Sequence, residues 1–259
     1  MGYKIPRPIL VHLLPASFEP AELSEGVAVV IDVLRATSTI VHALAAGARS
    51  VVPCGEIDDA RRIASAEPLG TVLLGGERGG LKIPGFDLGN SPADYVHPVV
   101  AGKKLVFTTT NGTRALMRAK EARRVLIGAL SNLGAVVELL AEETGPVHLV
   151  CAGTEGRITL EDALCAGAMS HWLDLADEAA DVADDVTQLA VNLYQSCGHD
   201  YDRDHEERVL ATLRRSRGGR NLIDCGLEAD IVCCAEQDKF EIVPELSRDP
   251  WEIRVAQPQ

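Results

Sequence analysis

No stretch of this sequence is long and apolar enough to cross a bilayer. The nearest approach to a secretory leader, Ile9-Leu10-Val11-His12-Leu13-Leu14 behind Lys4 and Arg7, is short and bracketed by Pro8 and Pro15, so no signal peptide is expected. Basic clusters are also missing. With 25 Lys and Arg against 38 Asp and Glu, the net charge is −13, whereas surfaces that bind nucleic acid or anionic membranes need clustered cations to displace counterions. A small anionic ligand is still allowed if a few arginines converge in one cleft. The seven cysteines, at 54, 151, 165, 197, 225, 233 and 234, form no C-x-x-C pair and no zinc-knuckle spacing. Most sit in apolar runs such as Leu149-Val150-Cys151, where a free thiol packs as a small hydrophobe. There is no G-x-x-x-x-G-K-[ST] phosphate loop, no low-complexity segment and no long linker. The expectation is a reduced, soluble, cytoplasmic protein without nucleic-acid or membrane partners; 46% hydrophobic and 24% charged residues over 259 positions are ordinary for one large or two small cores.

Three segments share one design: a β-rich apolar run, a small polar turn, and a helix rich in Ala and Leu. The first runs from Val27-Ala28-Val29-Val30-Ile31 through Asp32 to Thr39 into a helix ending near Ala46. The second is Lys104-Leu105-Val106-Phe107, Thr108 to Thr113, and a helix from Arg114 toward Lys120. The third is Val147-His148-Leu149-Val150, Cys151 to Arg157, and a helix opening at Thr159. Downstream of the first two, Ala48-Arg49-Ser50-Val51-Val52 and Ala122-Arg123-Arg124-Val125-Leu126 resemble each other as returns into strands, which predicts βαβ crossovers. The expected fold is a layered α/β/α protein with a largely parallel or mixed sheet and ligands at the carboxyl ends of the strands. Beyond residue 175 the pattern turns to acidic helices over 181–197 and 203–215, a Gly218-Gly219 loop, a helix near 227–235 and a last strand over 240–243. One α/β unit over 1–259 is expected, with room for a sheet-rich lobe (about 1–175) and a mostly helical one (176–259).

The stretch from Gly75 to Pro92 mixes glycines with Glu77, Arg78, Lys82 and Asp87. It reads as a site loop, against the plainer reading of an exposed connection. Thr110-Asn111-Gly112-Thr113 and Ala36-Thr37-Ser38-Thr39 each lead from strand to helix, where unpaired N–H groups and the helix dipole favour an anion; simple N-capping explains the same residues. Asp32 ends an apolar strand and must meet a cation, with Arg35 or a divalent metal as the candidates. A haloacid-dehalogenase mechanism would want a second Asp where Leu34 stands. Glu161 and Asp162 open the third helix, either as a capping arrangement with Thr159 or as further ligands beside Asp32. Cys151 and Arg157 have the C-x-x-x-x-x-R spacing of cysteine-dependent phosphatases, although Glu155 inside that loop would repel phosphate and thiolate. His199-Asp200-Tyr201-Asp202-Arg203-Asp204-His205 reads as a solvated loop with a helix cap rather than a metal cluster.

With these pieces assembled, the chain resembles the 2-phosphosulfolactate phosphatase family. The matching strings are Asp32-Val33-Leu34-Arg35-Ala36-Thr37-Ser38-Thr39, Gly76-Glu77-Arg78, Pro84-Gly85-Phe86-Asp87-Leu88-Gly89-Asn90-Ser91-Pro92, Thr109-Thr110-Asn111-Gly112-Thr113, and Ala152-Gly153-Thr154 with Glu161-Asp162. Gly226, Asp230, Cys234 and Val243-Pro244 extend it more weakly. The resemblance implies a Mg²⁺-dependent acid phosphatase that hydrolyses 2-phospho-3-sulfolactate to 3-sulfolactate and phosphate, a step toward coenzyme M in organisms that make it. On that reading Asp32, Glu161 and Asp162 hold Mg²⁺, and Asp32, Arg35, Arg78 and Glu77 form the catalytic set, with Glu77 or Asp87 as general base left open. Thr37, Ser38, Asn90, Ser91, Asn111, Gly112 and Thr113 would bind a small phosphorylated anion, and a homo-oligomer is left open. Two rivals stand beside it: a metal-free Cys151 phosphoenzyme, and a non-catalytic protein that binds a phosphorylated or sulfonated acid.

Overall fold

The computed structural model describes residues 6–182, 184–198 and 203–256. Its strands are β1 (Arg7–His12), β2 (Val27–Ile31), β3 (Ser50–Pro53), β4 (Val72–Arg78), β5 (Leu81–Lys82), β6 (Lys104–Thr108), β7 (Arg124–Gly128), β8 (Val147–Cys151), β9 (Ala180–Asp181), β10 (Pro244–Arg248) and β11 (Trp251–Val255). The helices are α1 (Ala36–Ala45), α2 (Ile57–Ser65), α3 (His97–Val100), α4 (Gly112–Ala119), α5 (Leu133–Glu142), α6 (Leu160–Ala176), α7 (Asp185–Gln195), α8 (Arg203–Arg215), α9 (Arg217–Asp224) and α10 (Glu228–Ala235). This is an α/β protein built on one mixed sheet of 11 strands in the order β5-β4-β6-β3-β11-β10-β7-β2-β8-β1-β9.

Val27, Val29 and Ile31 point to one side of the sheet, and Ala28 and Val30 to the other, so β2 is apolar throughout because both faces are covered. One face packs against α1 and α4 through Ile40, Leu44, Leu116 and Ala119. The other packs against α5 to α10, with Val136, Met169, Tyr194, Leu213 and Ile231 in the same apolar layer. A smaller cluster around Val52, Val106, Ala60 and Phe86 seats α2 against the β4 end.

The expected βαβ crossovers are not formed. β2 and β3, joined by α1, are separated by three other strands, and so are β6 and β7, joined by α4. The partners are exchanged instead: β2 runs parallel beside β7, and β6 parallel beside β3. The C-terminal hairpin then closes the gap, β11 pairing antiparallel with β3 at Ile253↔Val51 and β10 with β7 at Glu245↔Leu126. Those pairings make the two parallel blocks run in opposite senses. The exchange nevertheless brings the turn after β2 against the turn after β6: a Cβ built on Gly112 would stand 2.6 Å from the Ala36 Cβ and 2.9 Å from Asp32 Oδ2.

The C-terminal third also departs from expectation in detail. The strand expected over 240–243 begins instead at Pro244 and is half of a hairpin. Gly218 and Gly219 lie inside α9 rather than in a loop, because α9 sits so close to its neighbours that a Cβ on Gly219 would be 1.9 Å from the Leu213 carbonyl oxygen. Residues 199–202 of the His199-to-His205 segment lie outside the described residues. No helix among the described residues is long and apolar enough to cross a membrane.

Candidate active site

The turns after β2, β4, β6 and β8 meet α9 around a cavity of about 390 Å³, with Asp32, Arg35, Glu77, Asn90 and Asn111 in its wall. A volume of this size suits a small molecule. A larger groove of about 580 Å³ lies elsewhere, on the surface between α5, α6 and α8, and none of the candidate residues reaches it.

Asp32 is buried at the mouth of β2. Its Oδ1 accepts only a long bond from the Ala36 N–H at 3.3 Å, and burial, reinforced by Asp162 and then by Glu77 and Glu161, pushes its carboxyl well above the usual range. Arg35 does not neutralise it. The Arg35 guanidinium instead bonds Asp230 Oδ2 (2.5 Å) and the Gly80 carbonyl (2.6 Å), so the expected Asp32–Arg35 pair is replaced by Arg35–Asp230. The Leu34–Arg35 peptide bond is cis.

Asp162 and Glu161 are adjacent on α6 but differ in kind. Asp162 Oδ1 accepts from Val33 N–H (2.9 Å), and its Oδ2 accepts from Gly153 N–H (2.9 Å) and the Thr159 hydroxyl (3.0 Å). With three donors satisfied, Asp162 ties the turns after β2 and β8 together and has little left for a ligand. Thr159 stands at the N-cap position as expected, but it donates to Asp162 rather than closing a capping box. Glu161 lies directly behind Gly218, where a Cβ would be 2.1 Å from Glu161 Oε1. Its Oε2 is buried with no partner, and burial first, then Asp162, raises its pKa to about 7. An orphaned anionic oxygen of this kind fits a hard cation. No cluster of three or more His, Cys, Asp or Glu side chains is preassembled as a cage among the described residues.

Glu77 is wholly engaged: Oε1 accepts from Thr110 N–H and Oε2 from Gly80 N–H, both at 2.8 Å. Arg78 points out of the cavity, donating to the Glu77 and Gly55 carbonyls and to the Thr108 hydroxyl. Thr37 and Ser38 are turned inward, Thr37 accepting from Asp32 N–H and Ser38 donating to the Val33 carbonyl. Thr113 likewise accepts from Thr109 N–H at 3.4 Å. Asn111 faces the cavity and accepts from Glu155 N–H (3.2 Å), and the buried Asn90 leaves its Oδ1 unpartnered there. Ser91 opens on an adjoining cavity of about 260 Å³ and donates to Asp230 Oδ1 at 2.6 Å. Cys151 is buried in the apolar layer beside α6, burial raises the pKa of its thiol, and neither Cys151 nor Arg157 stands in the cavity wall.

Asn221, Asp224 and Cys225 of the α9 region, together with Thr154 and Glu155, complete the wall. Thr154 and Glu155 belong to the turn after β8 that the sequence already marks, whereas Asn221, Asp224 and Cys225 carried no signal beyond the nearby Gly218-Gly219, which reads as a loop. Glu155 meets Arg217 across the rim at 2.6 Å.

Buried carboxylates and one guanidinium, gathered where strands give way to helices around a cavity of ligand size, mark a candidate active site on an α/β fold. The profile of the 2-phosphosulpholactate phosphatase family matches residues 12–249. A probable 2-phosphosulfolactate phosphatase from Caldanaerobacter subterraneus subsp. tengcongensis is 39% identical over 89% of this chain and 91% of its own length. Others so named, from Prochlorococcus marinus (strain MIT 9313) and Symbiobacterium thermophilum, are 42% and 40% identical, each over 91% of this chain and 95% of its own. The chain belongs to the 2-phosphosulfolactate phosphatase family, and its class is that of phosphoric monoester hydrolases.

Proposed function

We propose that this protein hydrolyses 2-phospho-3-sulfolactate, or a related 2-phospho acid, to 3-sulfolactate and inorganic phosphate, with Mg²⁺ bound in the cleft. Family membership supports the substrate class. The observation that carries the cation is the charge of the cavity: Asp32, Glu77, Glu155 and Asp224 line it, Arg35 is the one cation among the described lining residues, and Arg217 pairs with Glu155 at the rim. A phosphate dianion would be repelled there unless a divalent ion enters with it. Asp32 and Glu161 are the carboxylates that would hold the ion. Mg²⁺ commonly takes one or two protein carboxylates and fills its remaining positions with water and phosphate oxygens, so a two-carboxylate site needs no protein cage. Bound there, it would neutralise charge developing on the phosphoryl oxygens.

The remaining roles follow from what each side chain has free. Asn111 and the first-turn N–H groups of α4 orient the phosphate. The unused N–H groups of Arg35 and the Asn90 amide receive the carboxylate or sulfonate. Glu77 and Asp162 hold the turns in place. The alternative of a non-catalytic binding protein has no observation in its favour.

Phosphate release from 2-phosphosulfolactate and a panel of 2-phospho acids, with Mg²⁺ and then with EDTA, tests the proposal. Release that EDTA abolishes and Mg²⁺ restores is expected. Release indifferent to EDTA would remove the cation from the mechanism, and no release from any compound would overturn the activity.

A further inference from the structure

Asp230, on α10, is 4% exposed and lines neither the main nor the adjoining cavity, so it does not touch a ligand in either. It accepts two short bonds from residues that do line them: Arg35 Nη1 on Oδ2 at 2.5 Å and the Ser91 hydroxyl on Oδ1 at 2.6 Å. Arg35 passes the constraint on, through Nη2 to the Gly80 carbonyl, Gly80 N–H to Glu77, and Glu77 to Thr110 N–H. One connected network thus runs from α10 to the turn after β6.

The consequence lies in which carboxylate Arg35 chooses. Among the described residues, Arg35 is the only cation in the wall of the main cavity, beside four acidic side chains. A buried guanidinium deprived of its partner is strongly unfavourable and takes the nearest anion available. Asp32, three residues upstream, poorly satisfied and in the same cavity wall, offers a carboxyl that an approaching guanidinium would hold ionised. We propose that Asp230 is a positioning residue for the phosphatase reaction: it holds Arg35 away from Asp32, leaving the Asp32 carboxylate free for the cation and the remaining Arg35 N–H groups free for the acid group of the substrate. This rests on the reading of Asp32 as a cation ligand given above.

The test is Mg²⁺ affinity of the intact protein, measured by calorimetry and by thermal stabilisation, alongside turnover. Asp230→Asn keeps the shape and loses the charge; Asp230→Ala loses both. In each, Arg35 is expected to collapse onto Asp32, weakening Mg²⁺ binding by about tenfold, the size of coupling between contacting residues. Removing Arg35 as well should then restore the affinity to that of Arg35→Ala alone. A residue that only glued α10 to the fold would give a double variant at least as poor as either single one. Affinity unchanged in Asp230→Asn, or no restoration in Arg35→Ala/Asp230→Asn, would overturn the proposal. Wild-type protein that binds no Mg²⁺ would instead sink the cation reading beneath it, a separate and visible outcome.

Discussion

Glu161 is the residue whose cost to the fold is easiest to measure. Its carboxyl has an ordinary value of 4.5 and is raised to about 7 in the folded protein, chiefly by burial. An acid whose folded pKa is raised stabilises the fold below the unfolded value and loses that contribution as pH rises through the folded one. In metal-free protein, Glu161 should therefore lower stability as pH climbs from about 4.5 to about 7, by roughly 1–3 kcal/mol in total. Glu161→Gln should flatten that part of the profile, seen as the difference in Tm between variant and wild type across pH. Equal slopes would show that Glu161 does not carry the effect. At this scale the candidates Asp32, Asn90 and Asn111, read from separate stretches of sequence, share one cavity wall, and Glu161 lies behind Gly218 of that wall. The sequence did not disclose bonding partners distant along the chain. The local pair Thr159 and Asp162 does bond, but Asp32 and Arg35, equally close and chemically matched, do not, because Asp230, 195 positions from Arg35, competes successfully for it.

Among the elements, α9 sets the sharpest contest between local and tertiary effects. By helix propensity, Gly218→Ala would stabilise α9 by about 1 kcal/mol. Here the added methyl would meet Glu161 Oε1 at 2.1 Å and the Leu34 Cβ at 3.3 Å, and overpacking of that kind costs about 1–3 kcal/mol. The clash should win, lowering Tm and displacing Glu161, so that turnover falls as well. A stabilised, fully active Gly218→Ala would contradict the close fit of α9 over Glu161. This helix was illegible because paired glycines read as a turn until the Leu213 carbonyl and Glu161 are seen pressing on them. The three strand-turn-helix units were legible because apolar runs covered on both faces look alike wherever they pair. Their pairing was not, since nothing within β2 or β6 states which neighbour each will take. The central hairpin escaped notice for a related reason. Its polar residues look unsuited to the middle of a sheet, yet Glu245 is clasped by Arg124 at 2.6 Å and Glu252 by Arg254.

For the molecule as a whole, the sheet depends on that hairpin. Ile253 is fully buried where β11 meets β3, so Ile253→Ala should cost about 2–4 kcal/mol, whereas truncating Leu81 on the edge strand β5, 57% exposed, should stay within about 0.5 kcal/mol. Urea unfolding of the two variants gives the comparison, and similar losses would mean that the hairpin is not what joins the two blocks.

The exchange of strands between the first two units also orders events in time. β2 waits for β7, and β3 for β6, before either turn of the cleft has its supporting neighbour. The two strands that fill the middle of the sheet are the last of its strands to be synthesised. Contacts so distant along the chain slow folding. A nascent chain can therefore gather its two parallel blocks early, but they remain unjoined, with β3 and β7 exposing open edges to other chains, until the hairpin arrives.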